Sequence, residues 1–245
     1  MDSTASTSNP HIARSAPSWM RKVVSRLPEP LLAQLEQIRY MGLPEPFRTV
    51  RRHSLLTYIN LFFLQELGRR LDHLGIEGDF VECGVYRGGS AGVLGYSAQS
   101  SPFRRHLWLF DSFEGMPAAT EKDDDYSHQI ENLFVGSEEQ TRSILSRLQI
   151  QSDNYTIVRG RFENTYATVK RTPVALLHVD CDFYEPVKLT LEKFYPDVVS
   201  GGYVVFNDYG SFAGCRTATD EFMSAWEIAA PLIQIDKDAY FFQKP

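Results

Sequence analysis

Asp79-Phe80-Val81-Glu82-Cys83-Gly84-Val85-Tyr86-Arg87-Gly88-Gly89-Ser90 is the stretch on which the fold turns. A short apolar run at 80–82 reads as a strand, the glycines read as a turn, and a helix is expected to start near Ser90. Glycines let a backbone come close to a ligand, and a helix N-terminus offers unpaired N–H groups to an anion such as a carboxylate. A nucleotide-like ligand is therefore expected at this turn, although a glycine turn of this kind can also be purely structural. Two familiar glycine loops do not match. A P-loop needs a lysine that Gly88-Gly89-Ser90 lacks, and a dinucleotide fingerprint needs a second glycine where Val85 and Tyr86 stand.

Downstream, short apolar runs at 107–110, 155–158, 174–179, 203–206 and 240–243 alternate with helical stretches such as 138–148. This is the rhythm of an α/β fold with a mostly parallel central sheet and helices on both faces. Asp111 ends the strand at 107–110, and in such a sheet the ligand crevice lies at the strands' carboxyl ends, where an acid can accept ribose hydroxyls. Glu82 and Asp111 thus form one rim of a cofactor crevice; Arg161 and Phe162, following Gly160, are expected to flank an adenine, with the core as the alternative place for Phe162. The polar stretch 118–136 reads as a solvated loop and as a candidate lid over an acceptor.

Upstream, two amphipathic helices are expected. One covers 28–40, with Leu31, Leu32, Leu35 and Ile38 on one face; the other covers 54–74, with Leu55, Tyr58, Ile59, Phe62, Phe63, Leu67 and Leu71. The expected division is a disordered tail over 1–18, an N-terminal helical extension over 19–77 and a catalytic domain over 78–245. The extension's apolar faces suit packing on that domain or on a second subunit, and a homodimer is expected.

A second constellation is acidic: His178-Val179-Asp180-Cys181-Asp182 ends one strand, and Asn207-Asp208 ends the next. Carboxylate and amide oxygens are hard ligands of the kind Mg²⁺ takes while keeping water or substrate oxygens in its other positions. One such acid is an ordinary turn former; two groups on successive strands favour a metal site at Asp180, Asn207 and Asp208. His178-x-Asp180 resembles half of a non-haem iron triad, but no histidine follows His178, which leaves it as a packed strand residue or a hydrogen-bond donor behind the site.

A net charge of −6 gives no electrostatic reason to expect nucleic acid as a partner, and no apolar run approaches the roughly 18 residues of a membrane span. Three cysteines without CxxC spacing suggest neither a disulfide framework nor zinc, and fit the cytosol. Arg14, Arg21, Lys22 and Arg26 raise an organellar transit peptide, against which Asp2 and the want of a clear amphipathic helix argue.

The run from Gly78 to Ser90, then Asp111-Ser112-Phe113-Glu114-Gly115-Met116-Pro117, Val179-Asp180-Cys181-Asp182-Phe183-Tyr184-Glu185, Gly201-Gly202-Tyr203 and Asn207-Asp208-Tyr209-Gly210 resembles the macrocin O-methyltransferase (TylF-like) family over about residues 50 to 245. The resemblance implies a Rossmann-like class I methyltransferase fold, S-adenosylmethionine as donor, a Mg²⁺ requirement, and a small-molecule hydroxyl acceptor, sugar or phenol-like, in natural-product biosynthesis. The expected donor set is Glu82, Gly84, Tyr86, Arg87, Gly88, Ser90, Asp111, Ser112, Gly160, Arg161, Phe162 and Asp180. Asp180 and the Asn207-Asp208 pair would hold the metal, and Asp180 and Asp182 would be catalytic, Asp182 as general base. One departure stands out: the family usually has two aspartates where this chain has Asn207-Asp208, so the site loses a charge. Two other readings stay open on sequence, an NAD(P)-dependent oxidoreductase and a non-catalytic binding protein on the same fold.

Overall fold

The computed structural model describes residues 42–245. The expected tail over 1–18 and the expected helix over 28–40 lie outside the described residues. Glu45–Pro245 form one compact unit, so the helix expected over 54–74 belongs to the same body as the sheet.

The elements run α1 (Phe47–Val50), α2 (Tyr58–His73), β1 (Asp79–Cys83), α3 (Gly89–Ser100), β2 (Leu107–Asp111), α4 (Asp125–Gln129), α5 (Glu138–Arg147), β3 (Tyr155–Arg159), α6 (Phe162–Thr165), β4 (Val174–Val179), α7 (Tyr184–Phe194), β5 (Val198–Phe206), α8 (Ala213–Ala225), β6 (Ile233–Gln234) and β7 (Tyr240–Gln243). They build a seven-stranded sheet in the order β3-β2-β1-β4-β5-β7-β6. The five strands from β3 to β5 are parallel, and β7 pairs antiparallel with both β5 and β6. All six strands expected from the sequence are present. β6, two exposed residues long, is an addition.

Side chains alternate across each strand. Val81 and Cys83 on β1, Leu177 and Val179 on β4, and Val204 and Phe206 on β5 share a buried core with Val187, Leu191 and Phe194 of α7 and with Ala218 and Phe222 of α8. The opposite face meets α2 and α3: a side chain on Gly68 of α2 would collide with Ser97 of α3 and touch Phe80 of β1. All six residues of β4 are buried, because helices cover both faces.

The helix expected over 54–74 is α2, which starts only at Tyr58, and only part of its expected face is buried. Leu67 and Leu71 are buried as expected, together with Leu61 and Leu64, whereas Leu55, Tyr58, Ile59 and Phe62 are exposed. The first half of this helix is apolar nearly all round, so periodicity alone leaves the inward side open; Gly68, which permits close approach to α3, fixes it. Thr57 caps the helix by accepting a hydrogen bond from Asn60 N. At the other end buried Arg105 donates to Asp72 and to the carbonyls of Ile76 and Gly78, tying α2 to the start of β1.

Candidate active site

The parallel register sets the site. Glu82 on β1 lies beside His178 on β4, and Cys83 beside Val179. Beyond the strand ends, Asp180 N donates to Cys83 O and Asn207 N donates to Val179 O, which carries the ladder one step into the loops. The glycine turn, Asp180 and Asn207 are thereby brought to one edge. Gly84 has φ +92°, and a Cβ there would collide with the Asp180 carbonyl, so the turn and the acidic strand end touch through a position only glycine fills.

The rest of the turn is held by Asp111. Its Oδ2 accepts from Val85 N at 2.6 Å and Tyr86 N at 2.8 Å, and its Oδ1 accepts from Phe113 N at 2.6 Å. These bonds fix Tyr86 in the left-handed region at φ +54°. Asp111 sits on the expected rim, but much of its hydrogen-bonding capacity braces the turn itself. Gly88 is the cap residue of α3 and supplies no side chain, so the first N–H groups of that helix, from Gly89 and Ser90, meet no capping side chain. Arg87 lies over the Tyr86 ring, its Nε buried without a partner.

At the neighbouring strand end, Gly160 N donates to Asp111 O, and Arg161 pairs with Glu114 at 3.2 Å. Phe162 turns inward and stacks on Tyr166 with centroids 4.7 Å apart, the core placement weighed for it from the sequence.

Asp180, Asp182 and Asp208 each bring a carboxylate oxygen within 4.8 Å of the others. Burial pushes all three carboxyls well above the usual carboxylate range, and mutual repulsion pushes further: Asp182 and Glu82 act on Asp180, Asp208 on Asp182, and Asp180 on Asp208. Asn207 donates through Nδ2 to the Asp208 carboxylate at 3.3 and 3.4 Å.

Three features escaped the sequence. Glu82 is wholly buried, its Oε1 2.9 Å from His178 Nδ1 and its Oε2 unpaired. Asn60 on α2 donates to Asn207 Oδ1 at 3.2 Å. The loop 118–136 is anchored beside the acids: Asp123 accepts from Tyr184 N, the first residue of α7, and Asp124 from Ala213 N, the first of α8. Only the Asp124–Ser127 spacing, a helix-cap pattern, left a local trace of this. The three cysteines are buried and free, and burial pushes the Cys83 thiol up to about 12, which leaves it no role as a nucleophile.

Comparison with known proteins gives the family. Residues 39–244 match the family model described as macrocin-O-methyltransferase (TylF). The demethyldecarbamoylnovobiocin O-methyltransferase of Streptomyces niveus is 33% identical over 217 residues, 85% of this chain and 81% of that protein. A 4'-O-methyltransferase of Streptomyces olivaceus, acting on 8-demethyl-8-(2,3-dimethoxy-alpha-L-rhamnosyl)-tetracenomycin-C, is 29% identical over 194 residues, 71% of this chain and 73% of that one. The structure of the O-methyltransferase NovP superposes with a TM-score of 0.72 at 29% identity, covering 78% of this chain and 82% of that chain. A nicotinamide-dependent oxidoreductase and a non-catalytic scaffold are set aside, and the chain belongs to the macrocin O-methyltransferase (TylF) family of enzymes.

Proposed function

We propose that this enzyme moves the methyl group of S-adenosylmethionine to a hydroxyl of a small-molecule natural product, a sugar moiety or a phenol-like group, with Mg²⁺ bound at the acidic strand ends. The observation that supports the reading is the contact of the glycine turn, at Gly84, with Asp180 of the Asp180–Asp182–Asp208 cluster. The sugar is favoured by the rhamnosyl acceptor of the Streptomyces olivaceus relative.

The residues suit a cation. Three carboxylates crowd together in surroundings that disfavour their charge, and a divalent ion compensates both the crowding and the burial. Asp180, Asp208 and the Asn207 oxygen would hold it, and when bound Mg²⁺ would lower the pKa of an approaching hydroxyl. Asp182 takes the hydroxyl proton. The oxygen forms its bond to the methyl carbon as the carbon–sulfur bond breaks, leaving S-adenosylhomocysteine. Glu82, Asp111 and the backbone from Gly84 to Ser90 orient the donor, and the loop 118–136, anchored on α7 and α8, covers the acceptor. The exposed stripe Leu55, Tyr58, Ile59 and Phe62 is consistent with a homodimer, and three free thiols with the cytosol.

Calorimetric titration of S-adenosylhomocysteine, with and without Mg²⁺, tests the donor without needing the acceptor. One-site micromolar binding is expected; no binding overturns the donor assignment.

A further inference from the structure

Asn207 presents its two ends to opposite sides. Its Nδ2 faces Asp208, and its Oδ1 accepts a hydrogen bond from Asn60 Nδ2 at 3.2 Å. The end facing the carboxylate is the amide nitrogen, which donates to both Asp208 oxygens. An amide nitrogen does not ligate a cation; the oxygen does. For Asn207 to serve as a ligand its amide must turn over, directing Oδ1 to the acids and Nδ2 to α2.

The partner for the turned amide is already in place. Asn60 is 4% exposed, its backbone N–H is held by the Thr57 cap, and its Oδ1 is buried with no hydrogen-bond partner. A native structure seldom leaves such an acceptor orphaned without a reason. When the Asn60 amide rotates as well, that oxygen receives Nδ2 of the turned Asn207. A leucine offers neither end and an aspartate only the accepting one; asparagine offers both, and so serves Asn207 in either orientation.

We infer that Asn60 is a positioning residue for Asn207: it holds the Asn207 oxygen away from the acids when no cation is bound, and accepts the Asn207 NH₂ when the oxygen turns to a cation. The inference rests on the metal site proposed above. It makes a residue of α2, outside the strand-end motifs, part of the cation's binding determinants, and it accounts for an amide at position 207.

The test is Mn²⁺ titration by calorimetry in the presence of S-adenosylhomocysteine, on the wild type, Asn60→Leu, Asn207→Ala and the double variant, with thermal melts to establish folding. Loss of one hydrogen bond's worth of support predicts Mn²⁺ binding weaker by roughly tenfold in Asn60→Leu. Asn207→Ala should lose at least as much, and the double variant no more than Asn207→Ala alone. Asn60→Ser, too short to reach Asn207, serves if the leucine variant does not fold, with the same loss expected. Mn²⁺ binding in Asn60→Leu or Asn60→Ser equal to wild type, or losses that multiply in the double variant, would overturn the inference while leaving the metal site standing. A wild type that takes up no Mn²⁺ would overturn both.

Discussion

Asp111→Asn should damage the protein by an amount that can be worked out bond by bond. The carboxylate accepts three backbone N–H groups, two on Oδ2 and one on Oδ1. Asparagine keeps one oxygen. Turned towards Val85 and Tyr86 it retains two bonds, now to a neutral acceptor, and sets an NH₂ group against the N–H of Phe113. Hydrogen bonds to charged groups contribute about 1.5–3 kcal/mol and neutral ones about 1 kcal/mol. One bond lost and two weakened sum to roughly 2.5–7 kcal/mol, which solvent screening of the half-buried Asp111 reduces to about 2 kcal/mol. Urea unfolding should therefore show a loss of about 2 kcal/mol, and the melting temperature should fall by roughly 4–8 °C for a domain of this size. The same bonds hold Tyr86 at φ +54°, a conformation that costs a non-glycine residue about 1–2 kcal/mol. Relaxed, the turn no longer presents its backbone to the donor, and S-adenosylhomocysteine affinity should fall about tenfold under conditions where the variant is still folded. Ser112→Ala, next door, removes one exposed turn bond to Glu114 N and should cost less than about 0.5 kcal/mol. An Asp111→Asn variant with the wild-type urea midpoint and wild-type affinity would refute the bracing role.

Asp182→Asn should lower turnover by roughly 10²–10⁴-fold with S-adenosylhomocysteine affinity unchanged; turnover near wild type would remove Asp182 as the base. The acidic cluster predicts a pH dependence of definite sign. Burial and mutual repulsion raise the carboxyls of Asp180, Asp182 and Asp208, so the cation-free folded protein holds protons that the unfolded chain releases near pH 4. That contribution to stability is full below the unfolded pKa and is lost as pH rises through the folded one. Mg²⁺ competes with those protons, so the rise in melting temperature on adding it should grow as pH rises above the ordinary carboxylate range of about 4, and a rise that shrinks with increasing pH would contradict the assignment. Arg105→Met leaves Asp72 with Ser101 Oγ alone and strands the Ile76 and Gly78 carbonyls, and should cost about 2–3 kcal/mol in urea unfolding; a loss under about 1 kcal/mol would show the clamp dispensable.

The strands were legible because helices cover both faces of the sheet: the run Val174-Ala175-Leu176-Leu177 has no polar side to confuse with a surface helix. β6 left no such trace. Its two residues are exposed, and only pairing with β7 makes them a strand. The helix α2 showed its period but not its inward face, since Leu55, Tyr58, Ile59 and Phe62 are as apolar as the leucines that are buried. The loop anchors were invisible because Asp123 and Asp124 cap helices 61 and 89 residues further along the chain, and no local pattern encodes a cap at that distance.

Strand-end residues can be read from a sequence; which strand ends meet is decided by the strand order. From β1 the sheet grows outward through β2 and β3, then reverses, so that β4 returns to the other side of β1. That reversal opens the crevice at the carboxyl end of β1. It puts the glycine turn after β1 between Asp111 and Asp180, with Asn207 and Asp208 one strand beyond. A sheet laid down as 1-2-3-4-5 would carry the same motifs but put Asp180 three strand spacings from the glycine turn, about 14 Å at the usual spacing. A methyl transfer needs its oxygen and carbon close to 3 Å apart before reaction, so the order of strands, as much as any residue in them, makes this arrangement able to do chemistry. Glu82 and His178 make the point at the scale of a single contact: separated by 96 residues, they meet at 2.9 Å only because β4 lies next to β1 in that register.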